Sequence, residues 1–158
     1  GASPEEIIAL LQQEKPDMLG ISCLFSPYAR EALQVAQLAK QILNIPVLLG
    51  GSHVSAMPEQ VLQNDCVDFI IRGEGEKAIV LLMQEILKGS GRFEGIANLG
   101  YKKNGKNILN AIGENYSLEE LPHPDLSDFR LDAYDFYGIY FLAQKSEGNI
   151  SRHIVFIS

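Results

Sequence analysis

The sequence predicts an α/β fold, a parallel sheet with helices on both faces, and three observations predict it. Three short apolar runs, Met18 to Ile21, Val47 to Leu49 and Phe69 to Ile71, have the bareness of strands covered on both sides. Between them lie stretches with apolar residues at helical spacing. Each run ends in small residues, at Ser22-Cys23-Leu24, Gly50-Gly51-Ser52-His53 and Gly73-Glu74-Gly75-Glu76, so three strand ends should emerge on one edge. Open α/β sheets bind their ligands at that edge.

The elements follow in order. Ser3-Pro4-Glu5-Glu6 starts a helix: Ser3 can cap, Pro4 suits the first helical position, and Glu6 completes a capping box. The helix should run to about Glu14, where Lys15-Pro16-Asp17 breaks it before the strand Met18–Cys23. Ser26-Pro27 opens a second helix to about Leu43, with Ala32, Leu33, Ala36, Ala39, Ile42 and Leu43 on its apolar stripe. Val47–Leu49 is the second strand, and Pro58-Glu59 starts a short helix through Val61 and Leu62. Phe69–Arg72 is the third strand. A helix from about Glu76 to Lys88 aligns Ala78, Ile79, Leu82, Met83, Ile86 and Leu87, and Gly89 stops it.

Strands alternating with helices in this way imply right-handed βαβ units, hence a Rossmann-like (flavodoxin-like) sheet. Asn104-Gly105, flanked by Leu99-Gly100-Tyr101 and Ile108-Leu109-Asn110, then predicts an antiparallel hairpin that closes the domain near Gly113. Residues 114–148 are acidic, proline-bearing and aromatic around Leu121-Pro122-His123-Pro124-Asp125, and predict an interdomain linker. His153–Ile157 is a last apolar run with strand character. Three parallel strands fall short of the roughly five of a doubly wound domain, so the chain is expected to be a fragment truncated at its N-terminus. What fills the place of the missing strand, residues 153–157 or a second copy across an unpaired edge, stays open.

Composition narrows the function. The 158 residues are 46% hydrophobic, enough for one sizeable core. With 20 acidic against 13 basic side chains and a net charge of −7, a phosphate-backbone surface is disfavoured and nucleic acid excluded as a partner. No apolar stretch reaches the length of a membrane span, and no basic-then-apolar leader pattern is present, so a cytoplasmic location is expected. Cys23 and Cys66 form no CxxC or His/Cys cluster, which points to neither a disulfide nor a metal site.

The strand ends carry the chemistry. Ser22-x-Leu24 offers a hydroxyl and an apolar side chain to a ligand across the sheet edge, or is a buried strand ending in a loop serine. Gly50-Gly51 leaves open backbone in the crevice, or answers a turn that needs positive φ. His53 is a ligand-binding side chain or an ordinary loop residue. The Gly73-Glu74-Gly75-Glu76 loop offers free N–H groups at a helix start, yet its carboxylates would repel a phosphate. No GxGxxG, P-loop or GxSxG is present, and the three histidines share no context, so the chain reads as a binding module without catalytic residues.

In combination, Asp17-Met18-Leu19-Gly20-Ile21-Ser22-x-Leu24, Leu48-Leu49-Gly50-Gly51-Ser52-His53-Val54-Ser55-x-x-Pro58-Glu59 and Val67-Asp68-Phe69-Ile70-Ile71-Arg72-Gly73-Glu74-Gly75-Glu76 resemble the cobalamin-binding domain that precedes the radical SAM domain in B12-dependent radical SAM proteins. The resemblance covers roughly residues 1–113. It makes 114–148 the linker and 149–158 the first strand of a radical SAM barrel, stopping short of the CxxxCxxC motif. It implies cobalamin as cofactor, held by Ser22, Leu24, Gly50, Gly51, Ser52, His53, Gly73, Glu74 and Gly75, with the corrin presented to that barrel. A 4Fe-4S cluster and S-adenosylmethionine would belong only to a longer parent, a methyltransferase or cyclase. The Asp-x-His-x-x-Gly motif that ligates cobalt in methionine synthase-type domains is absent, which leaves the lower ligand unassigned. The alternative is a cofactor-free docking or substrate-covering domain of the same fold. A receiver or flavodoxin-like module finds no acidic pocket or flavin loop in the sequence.

Overall fold

The computed structural model describes residues 3–113, His123 and the strand 154–157. The chain divides into one unit of Gly1–Glu114 with Arg152–Ser158 and another of Asn115–Ser151. The expected linker, 114–148, lies outside the described residues except for His123, as does His153.

Helix α1, Pro4–Glu14, begins as its first residues dictate. The Ser3 hydroxyl accepts from the Glu6 amide at 3.3 Å, and the Glu6 carboxylate accepts from the Ser3 amide at 2.7 Å, closing the capping box. Strand β1 is Met18–Ser22. The predicted second helix opens instead with a 3-10 turn, Ser26–Tyr28, before α2, Ala29–Ile42. Proline accounts for this start, since it tolerates a tight first turn but donates no N–H to a longer ladder.

Strand β2, Val47–Gly50, leads into a helical turn that the sequence did not reveal, α3 at Ser52–Ala56. Helix α4, Pro58–Leu62, strand β3, Phe69–Ile71, and helix α5, Glu76–Lys88, follow. Gly89 ends α5 in the left-handed region, φ 63°. Strands β4, Leu99–Lys103, and β5, Lys106–Leu109, form the expected hairpin, with Asn104 at φ 51° and Gly105 at φ 72° as a two-residue turn that needs both angles positive.

Among the described residues the sheet has six strands in the order β5-β4-β3-β2-β1-β6, where β6 is Ile154–Ile157. Strands β6, β1, β2 and β3 are parallel, and β4 and β5 extend the sheet antiparallel. The edge beside β1 is therefore covered by a strand of the same chain, Met18 to Ile21 aligned with Ile154 to Ile157. Register sorts the β1 to β3 side chains onto two faces. Leu19, Ile21, Val47, Leu49 and Ile70 pack under α1, α2 and α4, where Ala32, Ala36 and Ala39 let α2 approach closely. Met18, Leu48, Phe69 and Ile71 face the other way, toward Ala78 and Leu82 of α5.

Candidate functional site

The alignment of Ser22 with Gly50 in the β1–β2 ladder puts both at the carboxyl edge, on the face that carries α5. Between this edge and α5 lies a cleft of about 360 Å³, lined by Ser22, Gly50, Gly51, Gly73 and Gly75 together with Ile21, Leu48, Ile71, Glu76 and Ile79. Five of the nine candidate residues thus meet in one concavity. Its walls are mostly apolar, with Glu76 and Ser22 the exceptions, its floor is bare backbone, and its volume falls within the roughly 300–1,000 Å³ of small-molecule sites.

The glycines of this cleft differ in why they are glycines. A Cβ on Gly50 would find nothing nearer than the Ile71 carbonyl oxygen, 4.0 Å away, so the space above it is the cleft itself. On Gly51, at φ 102°, a Cβ would stand 2.5 Å from the Cys23 carbonyl oxygen. Gly50 keeps the cleft open, whereas Gly51 lets two strand-end loops touch. Gly73, at φ 69°, has no atom within 4 Å of an added Cβ, and Gly75 caps α5, accepting from the Ile79 amide at 2.8 Å.

Four candidate residues lie outside the cleft. Leu24 is 52% exposed beyond the end of β1. Ser52 donates its hydroxyl hydrogen to the Leu24 carbonyl, which ties α3 to the first strand-end loop. His53 lines a separate, larger cleft of about 680 Å³ on the opposite face, between α2 and α4, and its Nδ1 lies 2.9 Å from the Ser26 hydroxyl. Glu74 contributes its backbone carbonyl to a hydrogen bond from Asn98. Cys23 is 2% exposed, and burial, with Glu31 adding, pushes its thiol pKa upward, so it is a poor nucleophile.

Two side chains that motif reading passed over organise the site. The Ser55 hydroxyl accepts from the Gly73 amide at 2.8 Å and donates to the Gly51 carbonyl at 3.1 Å, which clamps the second glycine loop to the third. Asn98 holds the far side of the third loop. Ser55 stands four residues after Gly51, but nothing local shows that its partner lies 18 residues on. Among the described residues no group of three or more His, Cys, Asp or Glu side chains could hold a metal ion, and no helix is long and apolar enough to cross a membrane.

A family model described as "B12 binding domain" matches residues 1–83. An uncharacterized methyltransferase of Pyrococcus horikoshii is 33% identical over 157 residues, 97% of this chain and 34% of that protein. Among solved structures, the radical S-adenosylmethionine methyltransferase TsrM of Kitasatospora setae, with cobalamin and a [4Fe-4S] cluster bound, superposes with a TM-score of 0.61 at 18% identity, over 68% of this chain and 22% of that one. The cobalamin-dependent radical enzyme OxsB, with aqua-cobalamin and S-adenosylmethionine bound, gives 0.58 at 23% identity, over 73% and 16%. The chain therefore spans about a third of the length of that methyltransferase and less of the two enzymes of known structure.

Proposed function

The chain belongs to the B12-binding domain family, and from that premise we propose that the cleft at the carboxyl ends of β1, β2 and β3 receives the nucleotide tail of cobalamin. The observation that carries this is the bare backbone at Gly50, flanked by Ser22 and faced by Ile71 and Ile79. A flat heterocycle needs an open floor, apolar walls and few polar groups, and the cleft supplies these. Glu76 lines it and Glu74 stands in the adjoining loop, so the neutral heterocycle, and not its phosphate, suits the interior.

In this reading Ser22, Gly50, Gly51, Gly73 and Gly75 hold the tail, while Leu24 and Glu74 fall to the corrin side of the same edge. Ser52 and His53 shape the loops, through the Leu24 carbonyl and the Ser26 hydroxyl respectively. When bound, cobalamin supplies a cobalt centre that can carry a methyl group. What the chain itself does is grip the nucleotide arm, keep water from it and orient the macrocycle at the sheet edge.

The domain boundaries proposed are 1–113 for the cobalamin-binding unit, 114–148 for a linker and 149–158 for the first strand of a radical SAM domain, a strand whose residues 154–157 pair with β1 in this chain. In a longer protein the corrin would face that domain, whose 4Fe-4S cluster and S-adenosylmethionine would make the whole a methyltransferase or cyclase. The free thiols of Cys23 and Cys66 suit a cytoplasmic setting. Self-association through a sheet edge would use β5 or β6, the outermost of the described strands, and light scattering would read it.

Mixing the chain with hydroxocobalamin and separating it by gel filtration tests the binding. The corrin spectrum should travel with the protein at close to one equivalent. Corrin eluting wholly in the small-molecule fraction would overturn the reading and favour a cofactor-free docking domain.

A further inference from the structure

Asn98 is the one polar residue among the described residues that is buried, at 4% exposure. It precedes β4 with φ 68°, in the left-handed region that asparagine tolerates better than most side chains. Its backbone is fixed from both sides, since its carbonyl accepts from the Arg72 amide at 3.0 Å and its amide donates to the Ala111 carbonyl at 2.9 Å. The side chain is used at both ends. Nδ2 donates to the Glu74 carbonyl at 3.0 Å, and Oδ1 accepts from the Gly113 amide at 2.8 Å. Only this orientation of the amide satisfies both partners, one a carbonyl and the other an N–H.

These bonds continue those of Ser55. From the Gly51 carbonyl, hydrogen bonds run through the Ser55 hydroxyl to the Gly73 amide, and from the next residue, Glu74, through Asn98 to Gly113. Two walls of the strand-end cleft are thereby tied to the point where the chain leaves the hairpin. A short, rigid, buried amide cannot follow a displacement of one partner without straining its bond to the other, and leaving either partner unsatisfied is costly.

We propose that Asn98 is a positioning residue that couples occupancy of the strand-end cleft to the anchoring of the chain at Gly113. The inference rests on the cobalamin reading of that cleft. A ligand that fixes the Gly73–Gly75 loop steadies Asn98 and with it Gly113, and by reciprocity a firmly held Gly113 favours the ligand. The loading state of the cleft is thus passed from the third strand-end loop to Gly113.

Hydrogen exchange at the Gly113 amide, with and without hydroxocobalamin, is the direct measurement on the 158-residue chain. Loading should slow it about fivefold or more. Asn98→Gly keeps the backbone angle and deletes both side-chain bonds. It should speed Gly113 exchange without ligand, abolish the response to corrin and weaken corrin binding about tenfold, with far-UV circular dichroism unchanged. Asn98→Asp keeps an acceptor for Gly113 but loses the donor to Glu74. It should retain ligand-free protection while losing the response. Equal Gly113 exchange with and without bound corrin in the unsubstituted chain would overturn the coupling, and this holds even where a variant fails to fold. Undiminished corrin affinity in Asn98→Gly would overturn it too. A chain that retains no corrin overturns the binding reading and the coupling together. In that case the ligand-free comparison with Asn98→Gly still decides whether Asn98 anchors Gly113, and equal exchange would refute it.

Discussion

At Gly51 an added Cβ would press on the Cys23 carbonyl oxygen at 2.5 Å, and the φ of 102° is one that L side chains rarely adopt. At Gly50 the same atom would project into open cleft. The consequences of substitution therefore separate. Gly51→Ala should cost about 2–4 kcal/mol of stability, from the backbone angle and the overlap together, as denaturant unfolding would measure. Gly50→Val should fold with an unchanged far-UV spectrum and lose corrin at least about tenfold in affinity, because a branched side chain fills the floor of the cleft. Were Gly50→Val to bind corrin normally, the tail would have to lie elsewhere. In the sequence the two glycines looked alike, because the carbonyl that constrains Gly51 comes from a loop 28 positions earlier. The same limit hid the direction of His53, whose place on the opposite face depends on α3, a five-residue helix with no periodic signature of its own.

Elements were legible where a local pattern decides them and illegible where a long-range bond does. Strands β1 to β3 announce themselves as apolar runs because both faces are covered, and α5 does so through a stripe that ends in Gly89. By contrast, the start of β2 depends on Asp68, which sits before β3. Its Oδ2 accepts from the Val47 amide at 2.7 Å and pairs with Lys40 Nζ at 2.6 Å, joining α2, β2 and the β3 approach. Asp68→Ala leaves the Val47 N–H without that acceptor and should lower stability by about 1–3 kcal/mol. Asp68→Asn keeps an acceptor and loses only the partly exposed ion pair, so its loss should stay below about 1 kcal/mol. Equal losses for the two variants in thermal or denaturant unfolding would show that the ion pair, and not the amide bond, holds the strand start.

At the scale of the whole molecule, the sheet places the candidate site near its middle and closes β1 with β6. The amides of Leu19 in β1 and of Cys23 just beyond it donate toward the β2 side, to the Pro46 and Gly50 carbonyls at 3.0 and 2.8 Å. Backbone groups of a strand alternate in direction, so the amides of Gly20 and Ser22 face β6. Ser22 also lines the cleft and directly follows the residues of β1 paired with 154–157, which makes that pairing a support for the site as well as for the edge. Deleting residues 152–158 should therefore raise hydrogen exchange at Gly20 and Ser22 while Leu19 and Cys23 keep their protection. It should also lower the unfolding midpoint, and the bared edge should promote association visible in light scattering. Unchanged protection at Gly20 and Ser22 in the shortened chain would mean that β6 does not stabilise β1, and that another strand is the natural occupant of that edge.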